Sequence, residues 1–158
     1  HVVAPDHAWE LGNAADIPVL GDEAALRQIL TNLLANARVH TPAGTRVVVS
    51  LTRSDDEAVA ACVRARSRAK GQGKAEGAPA SSMVTIRVAD DGPGIPAEIR
   101  DRVFDRFVRG DSSRTRDGRG SSGLGMSIVE SLALAMGGAV RLADSEKGTV
   151  IEVILPAA

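Results

Sequence analysis

The stretch that decides the fold is Gln28-Ile29-Leu30-Thr31-Asn32-Leu33-Leu34-Ala35-Asn36-Ala37, which carries two helical patterns at once. One is an apolar helix face, formed by Leu26, Ile29, Leu30, Leu33, Leu34 and Ala37. The other is a polar stripe in steps of four, formed by Gln28, Asn32, Asn36 and His40. Asn is a mediocre helix former. The stripe is therefore either a solvated face or a row of amide oxygens that faces a cation or a polar ligand.

The segments around this helix predict an α/β domain. Asp22 is a good N-cap for it, and Thr41-Pro42 stops it. A second amphipathic helix is predicted over 124–136, and a helix-like segment over 97–108. Strands are predicted over 8–11, 17–20, 46–52, 83–89, 139–143 and 149–155. We expect a two-layer α/β sandwich, in which helices cover one face of a mixed, mostly antiparallel sheet.

Composition limits the class of protein. The 158 residues are a one-domain length, so 1–158 is predicted to be a single domain. A net charge of −1 attracts neither nucleic acid nor anionic lipid, and with 2 % aromatic residues the chain lacks stacking platforms for single strands. We therefore expect no nucleic-acid partner. The one cysteine, Cys62, fits a reducing compartment, and no apolar run approaches the roughly 20 residues that span a membrane.

Two segments are predicted to be flexible. Residues 54–82 join two strands that are expected to pair; they are rich in Ala, Arg, Lys, Gly and Ser, and after Arg64 they hold almost nothing to bury. They are predicted to form a long, mobile hairpin insertion, whose basic residues either meet a partner or are solvated. Residues 96–122 end in a stretch rich in Gly, Ser and Arg, which suits a lid over a ligand.

A ligand-binding site is expected where the strand predicted over 83–89 ends. Asp90 continues the alternation of Val84, Ile86 and Val88, so its carboxylate should point to the same, buried side of the strand. A carboxylate there needs a hydrogen-bond partner such as an adenine amino group. Gly92 and Gly94 allow close approach of the backbone, although an ordinary Asp-Gly-Pro-Gly turn remains the alternative. Ser122-Gly123-Leu124-Gly125 opens the second helix, where free N–H groups suit phosphate.

Two other glycine motifs fail on their context. Gly118 to Gly123 matches G-x-G-x-x-G, but no buried strand precedes it, as a dinucleotide site requires. Gly73-Lys74 hints at a P-loop, but Ala75 stands where Ser or Thr must hold magnesium.

The remaining motifs, in their order and spacing, closely resemble the catalytic ATP-binding domain of sensor histidine kinases, within the Bergerat-fold (GHKL) ATPase superfamily. Residues 28–37 resemble its N box, 90–95 its first glycine box and 122–125 its second. Phe104 to Arg109 resembles the F box, and Gly148-Thr149 the closing strand motif. The resemblance runs from about residue 7 to 156.

The resemblance implies a site for ATP with Mg²⁺. Asn36 would bind Mg²⁺ through its side-chain oxygen, Asn32 would lie near the phosphates, and Asp90 would accept from the adenine amino group. Arg109 would approach the γ-phosphate, and Phe104 and Phe107 would anchor the lid. The implied catalytic residues are Asn36 and Arg109. The implied nucleotide-binding residues are Asn32, Asn36, His40, Asp90, Gly92, Gly94, Ile95, Phe104, Phe107, Ser122, Gly123, Leu124, Gly125, Met126 and Thr149.

The implied reaction transfers the γ-phosphoryl group of Mg-ATP to a histidine of the kinase's own dimerisation domain, in two-component signalling with a response regulator. None of His1, His7 and His40 has the acceptor pattern, so that domain is expected upstream of residue 1. The fragment is expected to be a monomer. The full-length protein is expected to be a homodimer whose cytoplasmic part, attached to a membrane sensor, contains this domain.

The chain departs from the family pattern at three positions. Val39 stands where the family often has Lys or Arg, His40 where it often has Tyr, and Ser121 where a lid glycine is common. Val39 keeps one alternative function open, a catalytically degenerate nucleotide-binding module. Two further alternatives are a serine kinase of the anti-sigma-factor type and an ATP-hydrolysing clamp. The clamp would need a Glu four residues before Asn36, where this chain has Asn32.

Overall fold

The computed structural model describes residues 6–14, 16–69, 82–108 and 123–158. The described strands are β1 (Ala8–Leu11), β2 (Arg46–Ser54), β3 (Met83–Asp90), β4 (Ala139–Ala143) and β5 (Thr149–Pro156). The described helices are α1 (Glu23–His40), α2 (Glu57–Ala69), α3 (Ala97–Arg100) and α4 (Gly125–Ala135). No described helix is both long and apolar enough to cross a membrane.

The five strands form one sheet in the order β1-β2-β3-β5-β4. β1 pairs with β2 in parallel, and the other three pairs are antiparallel. α1 and α4 pack on one face, where Ile29 and Leu33 meet Val129 and Val153 in an aliphatic core. Burial of each such side chain contributes about 1.5–3 kcal/mol. The predicted fold class is confirmed.

Helix α1 forms as its pattern predicts. The side chain of Asp22 caps it, because Oδ1 accepts from the backbone N of Ala25 at 2.7 Å. Ile29, Leu33 and Ala37 are its buried residues. The apolar face therefore points to the sheet and leaves the amide stripe along its edge.

The strand predicted over 17–20 is wrong. Only Val19 makes a β-bridge, with Ala157, and Leu20 N donates to Pro156 O at 3.0 Å. Pro18 has no N–H to give to a ladder, which limits this segment to isolated contacts with the end of β5 and the residues after it.

The segment 54–82 contains a helix that the sequence analysis did not predict. The flanking strands β2 and β3 pair as expected, and residues 57–69 between them form helix α2. Ala60 and Val63 are buried in a cluster with Met83 and Ile154, which alternation places on the sheet face opposite the main core. The helix forms because these side chains find a partner surface that the local sequence does not reveal. Residues 70–81 lie outside the described part of the chain.

The helix-like segment predicted over 97–108 is helical only in α3. From Arg100 onward the backbone bonds join residues three apart: Arg102 N donates to Ile99 O at 3.0 Å, and Asp105 N donates to Arg102 O at 2.9 Å. These turns continue to Phe107, which has φ +65°. The rest of the predicted lid, residues 109–122, lies outside the described residues.

Candidate nucleotide site

One cavity of about 410 Å³ lies between the C-terminal half of α1, the end of β3 and the start of α4. This volume is in the usual range for a small-molecule site. Its walls are mostly apolar, with a few polar groups. The lining residues are Leu33, Asn36, Ala37, His40, Thr41, Val88, Asp90, Pro93, Gly94, Ile95, Pro96, Ile99, Val103, Val108, Gly123, Gly125, Met126, Thr149 and Ile151.

Four separate predicted motifs meet at this cavity: the N box, the two glycine boxes and the closing strand motif. Of the predicted site residues, those that line it are Asn36, His40, Asp90, Gly94, Ile95, Gly123, Gly125, Met126 and Thr149. Those that are described but do not line it are Asn32, Gly92, Phe104, Phe107 and Leu124. Arg109 and Ser122 lie outside the described residues. Residues 113 positions apart in sequence, Asn36 and Thr149, thus face the same space.

Asp90 is held by backbone donors on both sides. Its Oδ1 accepts from Gly92 N at 2.9 Å and from Thr149 N at 3.3 Å. Gly92 lies behind the carboxylate, where an added Cβ would come within 2.9 Å of Oδ1 and within 2.7 Å of Thr41 Cγ2. The carboxylate is therefore fixed in direction at the cavity wall.

The amide stripe faces the start of α4. A Cβ placed on Gly125 would lie 3.5 Å from Asn36 Oδ1 and 3.9 Å from Asn32 Oδ1. The Nδ2 atom of Asn32 is buried and has no hydrogen-bond partner among the described residues. A buried donor left unsatisfied costs about 1–3 kcal/mol. An anionic oxygen in this gap would accept from it, so the residues present fit a phosphate group.

The two described residues Phe107 and Gly123, on either side of the predicted lid segment 109–122, are joined by a backbone hydrogen bond. Phe107 N donates to Gly123 O at 2.9 Å, and both residues have left-handed backbones, with φ +65° and +68°. Phe104 is 9 % exposed and belongs to the core, as an anchor should. Phe107 is 70 % exposed and has φ +65°, so it does not pack into the core as Phe104 does. Its role as a second anchor of the lid stays a prediction.

His40 and Asp91, at and near the cavity, both have lowered pKa values. Desolvation lowers the pKa of His40, which lines the cavity although the residue as a whole stays exposed. Just outside, the backbone N–H of Arg46 and the ammonium of Lys147 lower the pKa of Asp91. Val39 is 55 % exposed and does not line the cavity. Because its side chain is uncharged, this position supplies no cation near the cavity.

Sequence reasoning missed most of the apolar lining. Val88, Ile99, Val103 and Ile151 lie within predicted strands or the helix-like segment 97–108, and Thr41 lies at the predicted helix stop, but the sequence gives none of them a role in the site. The sequence does contain a signal for Val88, because it lies two residues before Asp90 on the same strand and therefore faces the same side of the sheet. No local signal marks Ile151, which reaches the cavity only because β5 lies beside β3.

A mixed sheet with a cavity between the N-box helix α1, the end of β3 and the start of α4 defines an ATP-binding domain of the Bergerat type. The chain belongs to the histidine kinase-, DNA gyrase B- and HSP90-like ATPase family, whose profile matches residues 21–158.

Individual relatives point to one branch of that family. The probable sensor histidine kinase TcrY of Mycobacterium tuberculosis is 39 % identical over 157 residues, which are 99 % of this chain and 27 % of TcrY. A solved structure of the mycobacterial sensor histidine kinase MprB superposes with a TM-score of 0.65 at 31 % identity, covering 97 % of this chain and 85 % of that one. Full-length ShkA, solved in complex with AMPPNP, gives 0.63 at 28 % identity, over 97 % and 26 %. The chain spans about a quarter of the length of the curated relatives it matches.

Proposed function

We propose that this domain binds ATP with Mg²⁺ in the cavity and donates the γ-phosphoryl group to a histidine of the same kinase's dimerisation domain. The observation that carries the proposal is the meeting of Asn36, Asp90 and Gly123 around one cavity of about 410 Å³. These residues come from the helix, the strand end and the lid end that the sequence motifs singled out.

The base would occupy the Asp90 end. Backbone N–H groups hold Oδ1 of Asp90, so the carboxylate is oriented to accept from an adenine amino group. Val88, Ile95 and Ile151 provide an apolar surface for the faces of the ring. A ring buried between such apolar walls should be flat and uncharged. The Asp90 carboxylate is then the polar group that selects adenine among such bases.

The phosphates would occupy the other end, beside the amide stripe and the start of α4. Gly125 and Met126 begin α4, where no side chain of the described residues caps the helix, so their backbone N–H groups can donate to an anion. Asn32 Nδ2 is an additional donor in need of an acceptor. Arg109 belongs to the proposal through the family resemblance, as the group nearest the γ-phosphate.

Asn36 would hold Mg²⁺ through Oδ1. Mg²⁺ prefers oxygen ligands and usually takes only one or two from protein, completing its shell with water and phosphate oxygens. An amide oxygen at the edge of the cavity fits that requirement. When bound, the ion neutralises charge on the phosphates, and transfer then depends mainly on positioning.

The remaining parts of the proposal concern the whole protein. The acceptor histidine lies in a dimerisation domain outside this chain, the phosphoryl group passes to a response regulator, and the protein works as a homodimer. The domain lies on the cytoplasmic side of a membrane sensor. The names of the relatives support this assignment, since they are sensor histidine kinases.

Asn32 favours phosphoryl donation over hydrolysis. An ATP-hydrolysing clamp needs a carboxylate at this position as a base for water, and an amide cannot take up that proton. A second candidate function, nucleotide binding without catalysis, is favoured by one observation. Val39 is exposed and uncharged where the family often supplies a cation.

Phosphotransfer separates these two functions. The domain is incubated with its cognate acceptor domain and labelled ATP, and acid-labile phosphohistidine is the expected product. Asn36→Ala should abolish both the label and Mg²⁺-dependent ATP binding. Gln28→Ala, on the same stripe two turns away and outside the cavity, is the matched control and should retain both. ATP binding without any phosphohistidine would identify the non-catalytic module instead.

A further inference from the structure

His7 is a buried polar residue that the proposed mechanism does not use. Its side chain is 0 % exposed, and its ring lies 5.8 Å from that of Trp9. The surrounding backbone is bound to the loop after α1: Gly44 N donates to Asp6 O at 2.6 Å, and Ala8 N donates to Thr45 O at 3.0 Å. This segment is therefore fixed against the end of the helix that carries Asn36.

The one side-chain hydrogen bond that joins His7 to this helix end goes to Thr41, among the described residues. His7 Nε2 lies 2.9 Å from Thr41 Oγ1. The Thr41 hydroxyl donates its single hydrogen to Ala37 O at 2.6 Å, so it must accept from His7 Nε2–H. The other ring nitrogen lies 3.3 Å from the carboxylate of Asp6. The Thr41 hydroxyl thus donates one hydrogen bond, to Ala37 O, and accepts another, from His7 Nε2–H. These two bonds set the rotamer of Thr41.

Thr41 in turn forms part of the cavity wall at the Asp90 end. It lines the cavity, and its Cγ2 fills the space where a Cβ on Gly92 would stand. Gly92 N donates to Asp90 Oδ1 at 2.9 Å. A rotated Thr41 would move its methyl group away from Gly92 and release the turn that orients the Asp90 carboxylate. His7 itself does not line the cavity, so any influence on the ligand passes through Thr41.

We propose that His7 is a positioning residue for the nucleotide site, which fixes the Thr41 hydroxyl and thereby the cavity wall that orients Asp90. The inference rests on the proposed function, since it names a residue that shapes the same site. It predicts an effect on nucleotide affinity rather than on the transfer step, because the wall lies at the base end.

The proposal is tested by measuring the ADP affinity of the domain by calorimetry in a double-mutant cycle. His7→Leu fills the buried space without a donor, and Thr41→Val keeps the methyl packing without the hydroxyl. Each substitution should weaken ADP binding about 3- to 10-fold, the effect of one lost hydrogen bond. The double variant should be no weaker than either single one, because both remove the same bond. At saturating ATP, transfer to the acceptor domain by His7→Leu, a change outside the cavity, should stay within about twofold of the unaltered rate.

Glu10→Gln is the matched control. It breaks the surface ion pair with Arg46 in the same N-terminal segment but does not touch Thr41. Its ADP affinity should equal that of the unaltered chain. His7→Gln, which retains a donor, should recover most of the affinity lost in His7→Leu.

Two results would overturn the inference: unaltered ADP affinity in Thr41→Val, or losses that add in the double variant. Should His7→Leu fail to fold, Thr41→Val alone decides. Absence of ADP binding by the unaltered chain would refute the proposed function as well. Normal binding that neither substitution changes refutes only the role of His7.

Discussion

Gly148 and Asp90 lie so close together that a β-carbon on Gly148 would collide with the carbonyl group of Asp90. Gly148 also has φ +72°, in the region that L side chains rarely adopt. The turn before β5 therefore rests directly on the residue that orients the base in the proposed site. It also places Thr149 N at 3.3 Å from Asp90 Oδ1.

Gly148→Ala should destabilise the domain by about 3 kcal/mol, which combines left-handed strain with overpacking against Asp90. Gly44→Ala is the matched control, because Gly44 has φ +85° but nothing within 4 Å of its Cβ position. The control should lose only about 1 kcal/mol. Denaturant unfolding measures both. Equal losses would show that the contact with Asp90 adds nothing.

Asp90→Asn should relax adenine selectivity. The amide oxygen can still accept from Gly92 and Thr149, but its NH₂ group cannot accept from an adenine amino group and can donate to the carbonyl of guanine. ATP affinity should fall about tenfold and GTP affinity should rise relative to it. Asp91→Asn, one residue on and bound to Arg46 N and Lys147 instead, should leave the ATP to GTP ratio unchanged. A ratio unaltered by Asp90→Asn would exclude the adenine role.

The pKa of His40 is lowered by desolvation, which makes stability depend on pH in a stated direction. As pH falls below about 6.5, the unfolded chain binds a proton at this histidine before the folded chain does, so the free energy of unfolding decreases. The decrease stops once pH lies below the folded pKa. His40→Gln should flatten this part of the profile, while His1 and His7 stay present in both proteins. Identical profiles between pH 5 and 7 would contradict the assignment.

Val63→Ala tests whether helix α2 contributes a second core. Val63 is 3 % exposed in the cluster with Met83 and Ile154, so losing two methyl groups should cost about 1–2.5 kcal/mol. Cys62→Ala, on the exposed side of the same helix, should stay within about 0.5 kcal/mol of the unaltered chain. Thermal unfolding measures both changes. If the two variants lose the same stability, α2 does not pack as a core element.

Patterns within single elements were sufficient for much of the fold. The 3.6-residue spacing from Leu26 to Ala37 predicts α1 and its buried face, and the alternation of Val84, Ile86 and Val88 predicts β3. Both patterns work because one side of the element must face a core. For the same reason the parity of Asp90 correctly indicates that it borders an interior space.

Other features depend on contacts between distant segments. Residues 57–69 hold only two aliphatic side chains larger than Ala, Val59 and Val63. Helix α2 forms because Ala60 and Val63 meet a patch on the far face of the sheet. Phe107 has the spacing of a helix-face residue, yet the turns after α3 leave it exposed. His7 and Thr41, 34 residues apart, form a hydrogen bond that no local pattern encodes.

By itself, the sequence determined the α/β class, the two packing helices and the residue types of the proposed nucleotide site, because periodicity and backbone chemistry act over a few residues. Only the tertiary structure decided which of those residues share a cavity and how Asp90 is oriented. Its neighbours Gly92, Thr149 and Gly148 arrive from separate segments. Such contacts are set by sheet order and by packing of the whole core, which are properties of the assembled chain and not of any window along it.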